Sequence, residues 1–150
     1  MVAQATSTRR VLVVDDDQRI RSALPRLIAS WPGYEVVGVR DNAHDLALAV
    51  VRLHPDVVLL DLDMPGRSAI HAIEDLRYRG KPAKVLILSA LADPALIRAS
   101  LDAGAEGYVL KEDGPEALRE GLEAVLMGGR YLSRGLAGIA GRGTGEAPRP

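Results

Sequence analysis

Four groups of polar side chains each follow directly on an apolar run of the sequence. They are Asp15–Asp17 after VLVV, Asp61 after DVVLL, Ser89 after KVLIL and Lys111 after GYVL. A carboxylate beside a lysine and a hydroxyl is the set of groups that phosphoryl transfer to an acid requires, because one carboxylate attacks in line while cations neutralise the phosphoryl oxygens. Asp61 is the natural nucleophile, since its strand is central among those that end on these groups.

The carboxylates also predict a metal site. Two or three carboxylates about 4 Å apart repel each other by several kcal/mol, even at an effective dielectric constant of about 20. A cation among them would remove that repulsion. The chain has no cysteine and the cluster contains no histidine, so the ligands would all be oxygen atoms. Oxygen ligands of this kind indicate Mg²⁺ or Mn²⁺.

The elements that position these groups follow from the apolar pattern. Five apolar runs alternate with stretches of helical periodicity; the runs lie at 11–14, 35–39, 56–60, 84–88 and 107–110. Such alternation predicts a parallel sheet with helices on both faces, and right-handed crossovers make it a doubly wound α/β sandwich. We expect five strands in the order 2-1-3-4-5, with the polar groups together at the carboxyl edge of the sheet.

Length and composition narrow the class of protein. The 150 residues suit a single domain, and the net charge of −1 provides no general electrostatic footprint for nucleic acid. The N-terminus lacks an apolar signal region, and no run approaches 18 apolar residues, which argues against secretion and membrane spanning. We therefore expect a soluble cytoplasmic domain. We predict a flexible N-terminus over 1–8, the folded domain over 9–129, and a linker or tail over 130–150.

A few individual residues have local roles that the sequence predicts. Pro25 falls inside the first predicted helix and should kink it or force a local adjustment. Asp93 and Pro94 are typical of a helix start, with Asp at the N-cap and Pro at the first helical position. The three histidines, His44, His54 and His71, are scattered over predicted helices and helix ends, which favours capping or solvated roles over catalysis or metal binding.

Five stretches together carry a resemblance to a known family. They are VLVVDDDQRIR (11–21), HPDVVLLDLDMPG (54–66), KVLILSA (84–90), AGAEGYVLKED (103–113) and GGRYLS (128–133). On these motifs the chain resembles the receiver domain of two-component response regulators, in particular the NarL/FixJ (LuxR-type) branch. The resemblance covers residues 9–133 and implies a flavodoxin-like, CheY-like fold.

The resemblance also implies a role for each site residue. Asp61 would accept a phosphoryl group from a sensor histidine kinase, and Lys111 would pair with that group. Mg²⁺ (or Mn²⁺) would be bound by Asp16, Asp61 and the main-chain carbonyl of Asp63, with Asp15 acting partly through water. Ser89 and Tyr108 would be the switch residues that alter the face formed by the fourth helix, fifth strand and fifth helix.

On the same resemblance, the chain would be a signalling switch rather than a turnover enzyme. The phosphorylated form would be a homodimer, and the intact protein would control transcription. DNA would be contacted only through a C-terminal helix-turn-helix domain absent from this chain, apart from phosphate contacts by the tail arginines. Those arginines are Arg130, Arg134, Arg142 and Arg149.

The chain departs from the family pattern at a few positions. Asp17 adds a negative charge where this branch often has His or Glu, and Arg67, Ser68 and Ala69 replace the usual Met-Asp-Gly. Two alternatives follow from these observations. One is an atypical receiver that responds to a ligand or a partner without phosphate. The other is a metal-dependent phosphohydrolase, because Asp61 and Asp63 match an Asp-x-Asp pattern, although that pattern normally follows the first strand.

Overall fold

Strands and helices alternate along the part of the chain that the computed structural model describes, residues 8–63 and 68–136. The strands are β1 (Arg9–Val14), β2 (Tyr34–Arg40), β3 (Val57–Leu60), β4 (Lys84–Ser89), β5 (Gly107–Leu110) and β6 (Tyr131–Leu132). The α-helices are α1 (Gln18–Ala29), α2 (Leu46–Leu53), α3 (Ala69–Tyr78), α4 (Pro94–Ala103) and α5 (Gly114–Leu126). Short 3₁₀ turns span Lys111–Asp113 and Arg134–Leu136.

All strands belong to one parallel sheet with the order β2-β1-β3-β4-β5-β6. The five predicted strands are therefore present in the predicted order. Prediction of a sheet with only five strands was wrong, because β6 pairs with β5 at the edge. Two residues are too few to show a period in the sequence, and β6 follows directly on the glycine-rich stretch at 128–130, where the helical pattern ends.

The segment after α5 is packed onto the domain as far as the structure describes it. Ser133 and Leu136 are fully buried, although both fall in the stretch assigned to a linker or tail. Gly107 makes the pairing possible, because a Cβ on this residue would lie 2.9 Å from the carbonyl oxygen of Tyr131. Residues 1–7 and 137–150, including Arg142 and Arg149, lie outside the described residues.

Two hydrophobic cores cover the two faces of the sheet. Leu12 and Val14 of β1 point toward α2, α3 and α4, while Val11 and Val13 point toward α1 and α5. Successive side chains of a strand lie on opposite faces, so a strand that is apolar at every position requires helices on both sides. The continuous apolar runs of the sequence therefore explain the doubly wound architecture.

Several predicted local features are present. The Asp93 side chain accepts a hydrogen bond from the Ala95 N–H (2.9 Å) and caps α4, which begins at Pro94. Pro25 lies inside α1, and the helix continues beyond it to Ala29. Among the described residues, no helix combines the length and apolar character needed to cross a membrane.

Candidate functional site

The carboxylate cluster consists of Asp15, Asp16 and Asp61 at the carboxyl edge of the sheet. Adjacent strands β1 and β3 pair Val14 with Leu60, and the Asp61 N–H donates to the Val14 carbonyl at 2.9 Å. This register places the residues that follow the two strands side by side. Carboxylate oxygens of the three residues lie within 4.8 Å of one another. Asp15 and Asp61 are buried, whereas Asp16 is exposed.

Lys111 enters the cluster from the end of β5. Its Nζ lies 3.0 Å from Asp15 Oδ2 and 3.8 Å from Asp61 Oδ1. Burial lowers the pKa of Lys111, but the hydrogen bond with Asp15 and the charge of Asp61 outweigh burial, so its pKa is raised above the usual value. The ammonium group is therefore firmly charged and bridges the two buried carboxylates.

Asp61 is the carboxylate with the most perturbed environment. Burial raises its pKa, the charge of Asp15 raises it further, and the pKa reaches about 6. The Asp63 N–H donates to Asp61 Oδ1 at 3.2 Å, and this bond together with Lys111 opposes the rise. At neutral pH the ionised form of Asp61 is therefore destabilised by its surroundings. Such a raised pKa is typical of carboxylates at functional sites.

The two predicted switch residues meet through the backbone of Leu91. Ser89 Oγ accepts a hydrogen bond from the Leu91 N–H (3.0 Å), and the Tyr108 hydroxyl donates to the Leu91 carbonyl (2.6 Å). Both side chains are fully buried. Burial raises the pKa of Tyr108, and a hydrogen bond with Ser89 opposes that rise. The sequence could not have singled out Leu91, because only its main-chain groups take part.

Asp17 has a structural role in the described chain. Its carboxylate accepts a hydrogen bond from the Arg19 N–H (2.8 Å) and caps α1. This bond lowers the pKa of Asp17, with a further contribution from the Arg19 side chain. Asp17 also donates its own N–H to Asp15 Oδ1 at 2.9 Å, so its backbone orients a buried carboxylate.

The remaining predictions concern residues outside the cluster. Among the described residues, the carboxylate cluster includes none of the three histidines, His44, His54 and His71. Ser68 is the N-cap of α3, where its hydroxyl accepts from the His71 N–H (3.4 Å). Of the three loop positions that depart from the family pattern, Arg67 lies outside the described residues, whereas Ser68 and Ala69 are the N-cap and the first residue of α3.

The donor set is suited to a hard divalent cation. Three carboxylates face one ammonium group, and every side-chain donor of the carboxylate cluster is an oxygen atom. Excess negative charge at a partly open position with oxygen ligands fits Mg²⁺ or Mn²⁺ and does not fit a soft metal that prefers sulfur.

The parallel sheet, the carboxyl-edge aspartates and the lysine after β5 define a doubly wound domain with an acidic site of the receiver type. The family model described as the response regulator receiver domain matches residues 11–123. The chain therefore belongs to the response regulator receiver domain family, within the two-component systems.

Individual relatives place the chain near the NarL/LuxR branch. It is 35% identical to the transcriptional regulatory protein DegU of Brevibacillus brevis over 82% of this chain and 52% of that protein. It is 38% identical to the nitrate/nitrite response regulator protein NarP of Escherichia coli K12 over 83% of this chain and 58% of that protein. The chain thus spans little more than half the length of these relatives.

A solved structure gives the same result for the fold. The two-component response regulator of the LuxR family from Aurantimonas sp. SI85-9A1 superposes with a TM-score of 0.84 at 34% identity, covering 89% of this chain and 95% of that one. The predicted family and its NarL/LuxR branch are confirmed.

Proposed function

We propose that this chain is a phosphorylation-switched receiver in which Asp61 accepts a phosphoryl group from a sensor histidine kinase in the cytoplasm. The observation that carries the proposal is the environment of Asp61. Its carboxylate is buried, its Oδ1 lies 3.8 Å from Lys111 Nζ, and two further carboxylates lie beside it. A nucleophile, a fixed positive charge and a cation-binding cluster are the parts that phosphoryl transfer needs.

The reaction balances with the residues of the site. One carboxylate oxygen of Asp61 forms a bond to phosphorus, and the bond from phosphorus to the kinase histidine nitrogen breaks. The electron pair stays on the imidazole, which takes up a proton, and Asp61 becomes an acyl phosphate. Lys111 would then pair with the phosphoryl oxygens. When bound, Mg²⁺ supplies further positive charge beside these oxygens.

The proposed metal site uses residues already at the edge of the sheet. Asp16 and Asp61 would bind Mg²⁺ through their carboxylates and Asp63 through its main-chain carbonyl, with Asp15 acting partly through water. The excess of carboxylates over positive charge in the cluster supports this assignment.

The switch would pass from Asp61 to the surface through the Ser89–Leu91–Tyr108 contacts. Ser89 would turn toward the phosphoryl group and lose its hydrogen bond with the Leu91 N–H. The Tyr108 hydroxyl, bonded to the Leu91 carbonyl, would then change its surroundings. We propose that the resulting change at α4, β5 and α5 controls homodimer formation and, through a DNA-binding domain of the intact protein, transcription.

Intact mass spectrometry after incubation with acetyl phosphate tests the proposal. We expect the protein to gain one phosphoryl group when Mg²⁺ is present and none when Mg²⁺ is removed by a chelator. Asp61→Asn should abolish the gain, because the amide cannot act as the nucleophile. Asp102→Asn, which removes an exposed carboxyl on α4, is the matched control and should retain the gain.

Other results would point to other functions. A folded wild type that gains no phosphoryl group would favour a receiver controlled by a ligand or a partner. Sustained release of phosphate from a phosphate ester would favour a metal-dependent phosphohydrolase.

A further inference from the structure

Buried polar side chains identify a further residue connected to the site. In the described part of the chain they are Asp15, Asp61, Ser89, Ser100 and Ser133. The first three belong to the site, and Ser100 donates its hydroxyl to the Leu96 carbonyl of its own helix at 2.7 Å. Ser133 is different, because its hydroxyl bonds to another strand, at the residue directly before Lys111.

Ser133 completes the pairing of β5 with β6. The backbone ladder between the two strands includes the bond from the Ser133 N–H to the Tyr108 carbonyl at 3.1 Å. The next bond is made by a side chain, because Ser133 Oγ accepts from the Leu110 N–H at 3.0 Å. This hydroxyl therefore replaces a backbone carbonyl at the last position of β5.

The segment around Ser133 contacts the chain on both sides of Lys111. Leu110, before the lysine, bonds to Ser133, and Asp113, after it, accepts from the Gly135 N–H through Oδ2 at 3.3 Å. Leu136 is fully buried in the same core as Leu110, which anchors the segment. Residues 133–136 thus contact the chain both directly before Lys111 and two residues after it.

We propose that Ser133 is a positioning residue for Lys111, which acts by fixing the end of β5 from which the lysine extends toward Asp61. The inference rests on the proposed function and deepens it. On the β4 side, Leu110 is the register partner of Ser89. Leu110 is therefore set between the proposed switch serine and Ser133, and its position determines where Lys111 begins.

The expected consequence is a loss of rate without a loss of metal binding. Ser133→Ala leaves the buried Leu110 N–H without its acceptor, so the end of β5 and Lys111 shift. Misplacement of a catalytic group by about 1 Å can lower a rate by up to about 100-fold, and we expect a decrease of about tenfold in phosphorylation by acetyl phosphate. Mg²⁺ affinity should stay within about twofold, because the Asp16 and Asp61 carboxylates proposed as ligands follow β1 and β3 rather than β5.

A double-mutant cycle with Lys111→Ala separates positioning from general damage. If Ser133 acts through the lysine, Ser133→Ala should lower the rate in the wild type and change it little in the Lys111→Ala background. Equal effects in both backgrounds would overturn the proposal. Ser100→Ala, which removes another buried serine hydroxyl, is the control and should leave the rate unchanged.

A second readout is independent of phosphorylation. The chain has three lysines, Lys81, Lys84 and Lys111, so lysine-selective NMR labelling gives a resolved side-chain signal for each. In the apo protein at fixed neutral pH, Ser133→Ala should shift the Lys111 signal and leave the other two in place. Ser133→Thr, which keeps the hydroxyl, should restore the wild-type signal and rate.

The two readouts distinguish the possible outcomes. An unshifted Lys111 signal in folded Ser133→Ala would overturn the positioning role. If Ser133→Ala does not fold, Ser133→Cys replaces it, because the thiol is a weaker acceptor of similar size. Ser133→Cys should then lower the rate and shift the Lys111 signal by smaller amounts. If it changes neither, the positioning role is overturned. A wild type that accepts no phosphoryl group overturns the proposed function, whereas the NMR comparison still decides the contact from Ser133 to Lys111.

Discussion

Two clusters of charged side chains lie at opposite ends of the same strands and differ in how their charges are satisfied. At the amino edge, the Arg77 guanidinium donates to the carbonyls of Ala83 (2.7 Å) and Gly104 (2.9 Å) and to Glu106 Oε1 (2.8 Å). Glu106 also accepts the Val85 N–H at 2.8 Å. The two charges neutralise each other, and each side chain also makes hydrogen bonds with the backbone.

The carboxylate cluster at the other edge lacks this balance. Three carboxylates share one ammonium group, and the pKa of Asp61 is raised to about 6. Removing one partner from the balanced cluster would leave the other charge uncompensated, whereas the unbalanced cluster already has an excess of negative charge. That excess supports the proposed binding of a cation at the carboxyl edge. The comparison shows that two partly buried charged clusters of one domain can differ in charge balance, and the unbalanced one is the one proposed here as the functional site.

The largest expected effect comes from breaking the balanced cluster. Arg77→Ala leaves Glu106 without its cation and several carbonyls without donors, so we expect a loss of about 3 kcal/mol in the free energy of unfolding. Denaturant unfolding measures it. The site lies at the other edge, so phosphorylation of the folded variant should stay within about twofold of wild type. If Arg77→Ala were as stable as wild type but poorly phosphorylated, the amino-edge cluster would serve phosphorylation rather than stability, and the proposed difference between the two clusters would be wrong.

Removing a charge from the carboxylate cluster should raise the free energy of unfolding, whereas removing Arg77 should lower it. The folded protein binds the Asp61 proton more tightly than the unfolded chain, since the pKa rises from its usual value of 3.8 to about 6. The stabilisation by this proton is present below pH 3.8 and is lost as the pH rises through about 6. Without Mg²⁺ at neutral pH, Asp61→Asn should therefore raise the free energy of unfolding, by at most about 3 kcal/mol.

Unfolding of wild type and Asp61→Asn in chelator, across this pH range, measures the effect. The two curves should approach each other at acidic pH and separate as the pH rises. Asp102→Asn, which removes an exposed carboxyl, controls for the change in net charge. A variant that is less stable than wild type at neutral pH would show that the Asp61 charge is already compensated.

The smallest effect is expected for an exposed ion pair at the C-terminal end of α3, the helix that carries Arg77. Arg79 Nε lies 3.0 Å from Asp75 Oδ2 one turn away, and the Arg79 side chain is 58% exposed. Exposed pairs of this kind contribute little, so Arg79→Ala should change the free energy of unfolding by less than about 0.5 kcal/mol. The loss for Arg77→Ala would then be at least about six times that for Arg79→Ala. Similar losses for the two variants would show that the contacts of Arg77 with Glu106 and the backbone do not account for its effect.

Much of the fold was predictable because its signals are local. Apolar runs of four or more residues marked β1 to β5, and Asp93 with Pro94 marked the start of α4. Right-handed crossovers restricted the topology to a doubly wound sheet, and the strand order followed from a reversal of the winding between β1 and β3. In contrast, β6 has only two residues, and its stability depends on contacts with β5 that no sequence period records.

The clustering of the charged side chains could be predicted from the sequence, but the hydrogen bonds around them could not. Topology predicts that residues following β1, β3, β4 and β5 meet at one edge, and the structure brings Asp15, Asp61 and Lys111 together there. The main-chain role of Leu91 and the hydroxyl role of Ser133 depend on three-dimensional packing. Neither has a residue type or spacing that distinguishes it from an ordinary strand or loop position.

The sequence by itself determined the alternation of strands and helices, the carboxyl-edge position of the polar groups and the resemblance to receiver domains, because these depend on residue type and spacing. Only the tertiary structure decided which carboxylates are buried, that Lys111 Nζ lies nearer to Asp15 than to Asp61, and that the Ser133 hydroxyl accepts a hydrogen bond from Leu110 at the end of β5. Burial, distances and the pKa of Asp61 arise from groups far apart in the chain, and their relative positions exist only once the strands are in register.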